Sequence, residues 1–373
     1  MILHFQPLEM YPPVMNLLNT FDIKVKENGL DITVFSTYRP KSKEPDFLLP
    51  NIKIKRTQGI LKNENNLVRS LKYILFNCVA LIYLFWKRPK IVYYYESFSA
   101  YPSIIYKKWF NHNCILIAHY HEYSTKEEFK AASRVVRTLW ALEKNNFGLF
   151  NVLSHTNEKR MDLFKKDYPN TNFQKTLILP NYPPKSWSDF NNNLLPDQPI
   201  RLVYIGALSK ETMYLEEICD WVVKQGDNAV LDIYTSNISD SAKDYLKTNT
   251  SNNIKLKGGV NYYDIPNILK NYHVGLILYK GHIPNFIHNA PNKLFEYLAC
   301  GLDVWFPDVM EGSKAYVNPN EYPKVIALDF DNLKQYFLET LMDRNLLTNR
   351  SNTYYCEPIY ENYWAEIKEF NIA

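Results

Sequence analysis

The chain has 373 residues, enough for two domains of roughly 150 to 200 residues, each with its own core. Hydrophobic residues make up 46% and charged residues 22%, which excludes a disordered chain and indicates a soluble globular protein. The net charge of +4 is too small to indicate nucleic-acid binding, although it is compatible with anionic ligands or an anionic membrane surface. We therefore expect no nucleic-acid partner.

The first half of the chain alternates short apolar strands with amphipathic helical segments. One of these segments, Val14 to Asn28, has apolar residues at helical spacing and is followed by Gly29, a typical residue at a helix C-terminus. The alternation predicts a parallel sheet with helices on both faces. The predicted strands are Ile2–Phe5, Ile32–Ser36, Ile91–Tyr95, Ile115–Ala118, Val152–Ser154 and Leu177–Leu179.

Residues 73–86, YILFNCVALIYLFW, form the most apolar stretch, with Asn77 as its one polar side chain. The stretch is shorter than the roughly 18 to 20 residues that span a bilayer. It has basic flanks, which are Lys72, Lys87, Arg88 and Lys90. Two interpretations stay open: a buried helix packed on a sheet, or a helix that lies in a membrane interface.

A second strand pattern follows a segment rich in Pro, Asn, Ser and Asp, which we interpret as an interdomain linker. We predict an N-terminal domain at 1–182, the linker at 183–199, a C-terminal domain at 200–350 and a C-terminal helix at 351–373. This helix could pack on either domain. The predicted strands of the second half are Leu202–Ile205, Val230–Tyr234, Ile254–Leu256, Val274–Tyr279, Val304–Phe306 and Val325–Ala327.

The cysteines and the first residues of the chain indicate the cellular compartment of the protein. Five scattered cysteines without a Cys-x-x-Cys pair predict neither a zinc site nor a disulfide framework, which favours a reducing compartment. The start, MILHFQP, lacks the features of a signal peptide and is typical of a first strand. We expect a cytoplasmic protein, which would be peripheral on the inner face of the membrane if residues 73–86 contact lipid.

The stretch APNKLFEYLACGLDVW, at 290–305, begins with a proline where a helix would start and ends with a glycine where it would stop. With Pro291 as the first helical residue, the free N–H groups at the helix start would form a phosphate site. Asn292, Lys293 and Glu296 would share the exposed face of the helix. A carboxylate there can accept hydrogen bonds from a ribose diol, and a lysine can bind a diphosphate. The alternative is a solvated face with a weak salt bridge.

The stretch NAPNKLFEYLACGLDVWFPD, at 289–308, resembles the signature of retaining glycosyltransferases of the GT-B fold, particularly glycosyltransferase family 4 (group 1). RLVYIGALSKE, at 201–211, resembles the first strand and glycine turn of that family's C-terminal domain. NVLSHTNEKRMDLFKKDYP and LILPNYPP resemble the end of its N-terminal domain. The resemblance implies an α/β protein with two Rossmann-like domains facing each other across a cleft, the acceptor on the N-terminal domain and the nucleotide sugar on the C-terminal one.

The resemblance also implies roles for individual residues. Glu296 matches the glutamate that binds the donor ribose, and Lys210 and Lys293 are candidates for the diphosphate. The predicted nucleotide-sugar-binding residues are Gly206, Lys210, Lys280, His288, Asn292, Lys293 and Glu296. The chain departs from the family pattern at Ala207 and Met213, where an arginine and a lysine are usual, and at His288, which replaces a second glutamate. Either Lys210 and Lys280 compensate, or the donor is bound weakly or not at all.

Polar clusters follow the predicted strands of the first half, at the carboxyl ends where open α/β sheets bind ligands. The densest is HYHEYS, which contains His119, His121 and Glu122 and could position an acceptor hydroxyl or move its proton. Because family members often carry a histidine with an acidic neighbour here, we predict His121 and Glu122 as catalytic residues. Glu96, Gln6 and His119 are the predicted acceptor-side residues. The alternative for each histidine is a hydrogen-bonded loop residue.

The chain offers weak metal signals. Its one Asp-x-Asp, DFD at 329–331, precedes a predicted helix and fits a cap, and the two histidines two residues apart lack an evident third ligand. We therefore predict a retaining, metal-independent glycosyltransferase without cofactors, which moves a sugar from a UDP- or GDP-linked donor to a glycan or lipid-linked glycan of the cell-surface polysaccharide type. Two alternatives stay open: a catalytically impaired nucleotide-sugar-binding or scaffold protein, and a nucleotide-sugar epimerase.

Overall fold

The computed structural model describes residues 1–39, 49–61, 64–171, 173–190, 199–249, 251–343, 348–349 and 352–372. It divides into two compact units, Met1–Pro180 with Cys356–Ala373, and Asn181–Tyr355. Much of the predicted linker, residues 191–198, lies outside the described residues. Each unit is built around its own parallel sheet.

The first unit has a seven-stranded sheet in the order β3-β2-β1-β4-β5-β6-β7, and every neighbouring pair is parallel. Its strands are β1 Ile2–Pro7, β2 Ile32–Tyr38, β3 Ile52–Gln58, β4 Ile91–Tyr95, β5 Ile115–Tyr120, β6 Val152–His155 and β7 Lys175–Ile178. The sequence pattern missed β3, whose sequence IKIKRTQ has apolar residues only at Ile52 and Ile54 and ends in four polar ones, as an edge strand can.

Helices cover the faces of this sheet, and the last helix of the chain belongs to the same unit. The helices are α1 Pro12–Asn28, α2 Asn66–Lys87, α3 Ala100–Ile105, α4 Lys126–Ala131, α5 Arg134–Lys144, α6 Glu158–Asp167 and, at the end of the chain, Cys356–Ile372. As the sequence predicts, α1 is followed by Gly29 in the left-handed conformation, with φ 64°. The terminal helix packs on α1, where the Tyr360 hydroxyl donates to the Pro13 carbonyl at 3.1 Å.

The second unit has a six-stranded parallel sheet in the order β10-β9-β8-β11-β12-β14. Its strands are β8 Ile200–Ile205, β9 Ala229–Tyr234, β10 Ile254–Lys257, β11 Val274–Leu276, β12 Asp303–Pro307 and β14 Val325–Leu328, and a small pair is formed by β13 Glu321–Tyr322 and β15 Thr348–Asn349. Its helices are α7 Leu215–Gln225, α8 Asp240–Thr248, α9 Ile265–Leu269, α10 Pro284–Ile287, α11 Asn292–Ala299 and α12 Leu338–Met342, so that Cys356–Ile372 is α13.

Candidate functional site

The helix α11 carries the cluster that the sequence singled out, and it is anchored on the sheet by aromatic side chains. The Tyr297 ring lies where a side chain of Gly275 in β11 would be, since a Cβ built there would fall 2.2 Å from the ring. The Tyr297 hydroxyl accepts a hydrogen bond from the Ile205 backbone N–H at 3.3 Å. On another side, the Phe295 and Tyr182 rings meet with their centroids 4.5 Å apart. These contacts fix α11 against the carboxyl end of β8.

The start of α11 differs by one residue from the prediction. Pro291 has extended backbone angles and is the residue before the helix, so that Asn292 is the first helical residue. Pro291 still contributes, because its carbonyl accepts the Leu294 N–H at 3.0 Å. Asn292 and Lys293 therefore stand in the first turn, as expected, and both are half-buried.

Lys293 lies over the turn that follows β8. Gly206 there has φ +148°, and a Cβ built on it would lie 2.7 Å from Lys293 Cε and 2.8 Å from Nζ, so that any other side chain at 206 would displace the end of the lysine. The ammonium lies 5.7 Å from the ring centroids of both Tyr204 and Tyr279. Burial opposes the charge, but Tyr279, Tyr204 and the nearby Glu296 together raise the pKa of Lys293, so that it is a cation at neutral pH.

Glu296 lies on the face of α11 that the sequence suggested would be exposed, and this expectation was wrong: the side chain is only 7% exposed. Among the described residues, no side chain or backbone group donates a hydrogen bond to its carboxylate or forms an ion pair with it. Burial raises the pKa of Glu296 to about 7, and Lys293 partly opposes this rise. A buried carboxyl group that the protein leaves without a donor is suited to accept hydrogen bonds from a ligand.

Lys210 and Lys280, the other predicted diphosphate ligands, are paired with acidic residues at the start of α7. Lys210 Nζ lies 3.1 Å from a Glu216 oxygen, and Lys280 Nζ lies 3.3 Å from a Glu217 oxygen. These carboxylates stand in the first turn of α7, where the helix dipole favours negative charge. The start of α7 thus already has its own anions, whereas Lys293 lies over the Gly206 turn.

The three departures from the family pattern have distinct surroundings. Ala207 is exposed, whereas Met213 is buried and its sulfur accepts a hydrogen bond from the Tyr204 hydroxyl at 3.3 Å. His288 follows α10 and lies against Gly312, because a Cβ on Gly312 would be 2.4 Å from the His288 carbonyl. Neither Ala207 nor Met213 offers the charge of the residue that it replaces.

In the first unit, Glu96 is the centre of the predicted acceptor-side cluster. Its carboxylate accepts the backbone N–H of His121 at 2.6 Å and that of Glu122 at 3.4 Å. Glu96 has φ 58°, an unusual conformation for a residue other than glycine and one that is frequent at functional sites. Burial, followed by the charge of Glu122, raises the pKa of Glu96 to about 8. The sequence treated Glu96 as secondary, but the structure makes it the group that holds this loop.

The two predicted histidines, His121 and His119, differ in their contacts. The His121 ring stacks on Tyr95 at 5.1 Å, whereas Glu122 is exposed. His119 is buried and its Nδ1 lies 2.8 Å from the Ser154 hydroxyl, and burial lowers the pKa of His119 to about 3. His119 is therefore neutral and fits the alternative of a hydrogen-bonded structural residue. Gln6 is half-buried near the end of β1, and its carbonyl accepts a hydrogen bond from the Ser36 hydroxyl at 2.8 Å.

Two further residues of this region were missed by the sequence reading. Arg160, in α6, is 2% exposed and donates to the His121 carbonyl at 2.5 Å, which fixes the loop from a second side. Glu143, in α5, is 1% exposed and accepts hydrogen bonds from Tyr94 at 2.7 Å and Tyr120 at 2.5 Å. Arg160 and Glu143 occur in helical stretches with ordinary surface composition, so that no sequence signal marks them.

Metal-binding groups are not found in the part of the chain that the structure describes: no three His, Cys, Asp or Glu side chains lie together as ligands. Within the DFD segment, Asp329 accepts hydrogen bonds from Asn332, from its backbone N–H at 3.2 Å and its side-chain amide at 2.8 Å. Asp329 thus closes the turn before the short 3-10 helix Leu333–Gln335, whose N-cap is Asn332 without a side-chain cap, so that the segment is not the helix cap that the sequence predicted.

No protein-family model matches the chain, and no curated protein matches it by sequence. Solved structures, in contrast, match almost all of it. Sucrose-phosphate synthase from Thermosynechococcus elongatus is 14% identical with a TM-score of 0.71, and the match covers 100% of this chain and 99% of that one. The apo form of the lipopolysaccharide outer core galactosyltransferase WaaB is 12% identical with a TM-score of 0.63 and 99% coverage of both chains.

An epimerase is also among the similar structures. UDP-GlcNAc 2-epimerase from Neisseria meningitidis, solved with UDP-GlcNAc bound, is 12% identical with a TM-score of 0.60 and 99% coverage of both chains. Identities this low establish the fold alone. With two parallel-sheet units and matches of this coverage, the chain has the GT-B fold that the sequence predicted.

Proposed function

We propose that this protein is a retaining, metal-independent glycosyltransferase that moves a sugar from a UDP- or GDP-linked donor to a glycan or lipid-linked glycan acceptor in cell-surface polysaccharide synthesis. The observation that carries the proposal is the pair on α11: Glu296, a buried carboxyl without a protein donor, and Lys293, a cation held over the Gly206 turn. The similarity to a galactosyltransferase and to a structure holding UDP-GlcNAc supports it.

In the proposed complex, the second unit binds the nucleotide sugar. The donor ribose would donate its hydroxyl hydrogens to Glu296, which the diol would stabilise in its charged form. Lys293 would neutralise the diphosphate as the sugar departs, and this electrostatic stabilisation is the main contribution that the reaction needs from the enzyme. The first unit would bind the acceptor, with His121 and Glu122 on the loop held by Glu96. A lipid-linked acceptor would place the protein on the cytoplasmic face of a membrane.

The first experiment is a thermal-shift series with uridine, guanosine and cytidine diphosphates and their sugar conjugates, in EDTA and then in Mg²⁺. A ligand at about 100 times its Kd adds about 2.7 kcal/mol to the stability of the state that it binds. Stabilisation by one nucleotide class in EDTA supports the donor site, and no stabilisation by any nucleotide would contradict it. NMR of the anomeric proton in the product then tests retention.

Variants test the site assignment. Lys293→Met and Glu296→Gln should each weaken nucleotide-sugar binding by at least about tenfold, which is the loss of one charge-assisted contact. Lys247→Met is the matched control, because Lys247 is a lysine in α8 of the same unit whose side chain is 67% exposed. If Lys293→Met binds like the wild type, the diphosphate assignment is wrong.

An epimerase is the second candidate, favoured by the match to UDP-GlcNAc 2-epimerase. It differs from a transferase in needing no acceptor. Incubation with the stabilising nucleotide sugar alone, followed by NMR of the sugar ring, separates the two: an inverted stereocentre with the nucleotide still attached indicates epimerisation. Binding without any turnover would favour the impaired or scaffold protein, the alternative that rests on Ala207, Met213 and His288.

A further inference from the structure

The helix α2 is longer and more exposed than the apolar stretch in the sequence suggested. It runs from Asn66 to Lys87, its most apolar window of 18 residues has a mean hydropathy of 1.6, and it is long and apolar enough to cross a membrane by length and composition alone. Only 28% of its most apolar window is buried. Its buried side chains include Tyr73, Phe76, Ala80 and Leu84, which belong to the core of the first unit. This helix therefore has one face in the protein core and cannot also be surrounded by lipid.

The opposite face of α2 is a continuous apolar stripe. Its members follow steps of three or four residues, with adjacent pairs at 74/75 and 85/86 and one step of seven that passes the exposed Cys78, so that they lie on one side of the helix. They are Leu67, Leu71, Ile74, Leu75, Ile82, Phe85 and Trp86, each more than half exposed, with Trp86 at 70%. A stripe of this size without a protein partner is unusual for a water-exposed helix.

A second element extends the stripe. The turn of π-helix Tyr106–Phe110, which continues α3, exposes Trp109 by 67% and Phe110 by 50%. The Phe110 and Phe85 rings are in contact, with centroids 5.4 Å apart, so that the two elements form one surface. We call this surface, the stripe of α2 with Trp109 and Phe110, the α2 face.

Cations surround the end of the α2 face. From Asn65 to His121 the sequence contains one acidic residue, Glu96. Of the basic residues in this range, Lys107 is buried and Lys72 is paired with Glu64, and the exposed ones are Arg69, Lys87, Arg88, Lys90 and Lys108. Lys87 lies 4.7 Å from the Trp86 ring and the Arg88 guanidinium lies 5.9 Å from the Phe85 ring, so that charge and aromatic surface are contiguous. Exposed tryptophans beside Lys and Arg are typical of surfaces that lie in a lipid interface.

We propose that the α2 face docks on an anionic lipid bilayer, with α2 lying in the plane of the interface and the cations against the headgroups. The inference goes beyond the proposed function and does not require sugar transfer. Charge favours this occupant over a second copy of the chain, because pairing two such faces would bring their basic residues together. An interfacial helix needs only one apolar face, which enters the membrane interface by about 5–10 Å. The packing of α2 on the first unit leaves one such face exposed.

Flotation of the full chain with vesicles tests the proposal. Vesicles of phosphatidylcholine alone are compared with vesicles that also contain about a third phosphatidylglycerol, at low and high salt. The protein should float with the anionic vesicles and less so at high salt. The double variant Trp86→Ser with Trp109→Ser should bind at least about tenfold more weakly. Phe337→Ser is the control, since Phe337 is a 68% exposed aromatic residue of the other unit.

A charge variant and a probe on the face complete the design. Lys87→Glu with Lys90→Glu should weaken binding to anionic vesicles at least about tenfold, whereas Lys247→Glu, in the other unit, should not. Cys78 is the exposed cysteine and lies in α2, while the other four are buried. An environment-sensitive fluorophore on Cys78 should therefore shift to shorter wavelength with anionic vesicles.

Three results would overturn the proposal. Absence of flotation with both vesicle types would remove the membrane as the occupant, and equal binding to neutral vesicles would remove the anionic lipid. A dimer in light scattering that the tryptophan variant dissociates would assign the α2 face to a second copy. Circular dichroism of each variant checks that the loss of binding is not a loss of folding.

Discussion

Replacing Glu296 by glutamine should change how the stability of the protein depends on pH. The carboxyl group has a pKa of about 7 in the folded protein, against 4.5 in the unfolded chain. The folded state therefore binds more protons between these two values, and stability falls as pH rises through this window. Each tenfold change in proton affinity corresponds to about 1.4 kcal/mol, so that the charged carboxylate costs the folded state about 3 kcal/mol above pH 7.

Glu296→Gln removes this cost because glutamine has nearly the same shape and no charge. The free energy of unfolding of the variant, relative to that of the wild type, should rise by about 3 kcal/mol when the pH is raised from about 4.5 to about 8. In a domain of this size that is roughly 6 to 12 °C in Tm. The prediction concerns how this stability difference changes from the lower pH to the higher one. Its absolute value is not predicted, because a buried amide without a hydrogen-bond partner lowers the stability of the variant at every pH.

The assay is thermal unfolding of wild type and variant followed by circular dichroism at several pH values. Glu339→Gln is the matched control, because Glu339 is an exposed residue in the first turn of α12. A difference between Glu296→Gln and the wild type that stays constant from about pH 4.5 to about pH 8 would refute the argument that this carboxyl is held in a desolvated site.

Three further substitutions test contacts within each unit. Gly275→Ala should destabilise the protein by about 1 to 3 kcal/mol or more in urea unfolding, because the added methyl group collides with the Tyr297 ring, and wild-type stability would contradict this packing. Gly206→Ala should weaken nucleotide binding in calorimetry, since the methyl group displaces the lysine above it and the residue has φ +148°; unchanged affinity would separate that lysine from the donor site. Tyr360→Phe should cost about 1 kcal/mol by removing the hydrogen bond from the Tyr360 hydroxyl to the Pro13 carbonyl, and it should speed proteolysis of the C-terminal helix. An unchanged cleavage rate would mean that this bond does not hold the helix.

The sequence by itself determined much of the fold. Strands and helices follow from local periodicity, which residues a few positions apart decide. All twelve predicted strands share at least half of their residues with observed strands, including Leu177–Leu179, which is displaced toward Lys175–Ile178. The grouping of Asn292, Lys293 and Glu296 on α11 has the same local origin, because residues three and four apart share a helix face. The edge strand β3 was missed because its polar side chains give a weak period.

Only the tertiary structure decided how these side chains are placed and charged. Glu296 is buried and Lys293 lies over Gly206 because α11 packs on β11 and β8, strands that are remote in the sequence. Likewise, Lys280 is paired with Glu217 at the start of α7, and Glu96 is held by the loop after β5. Burial and ion pairing depend on which distant segments meet, and a pKa follows from both. The contacts and pKa values of the candidate site therefore depend on the packing, whereas the grouping of its residues on one helix follows from the sequence.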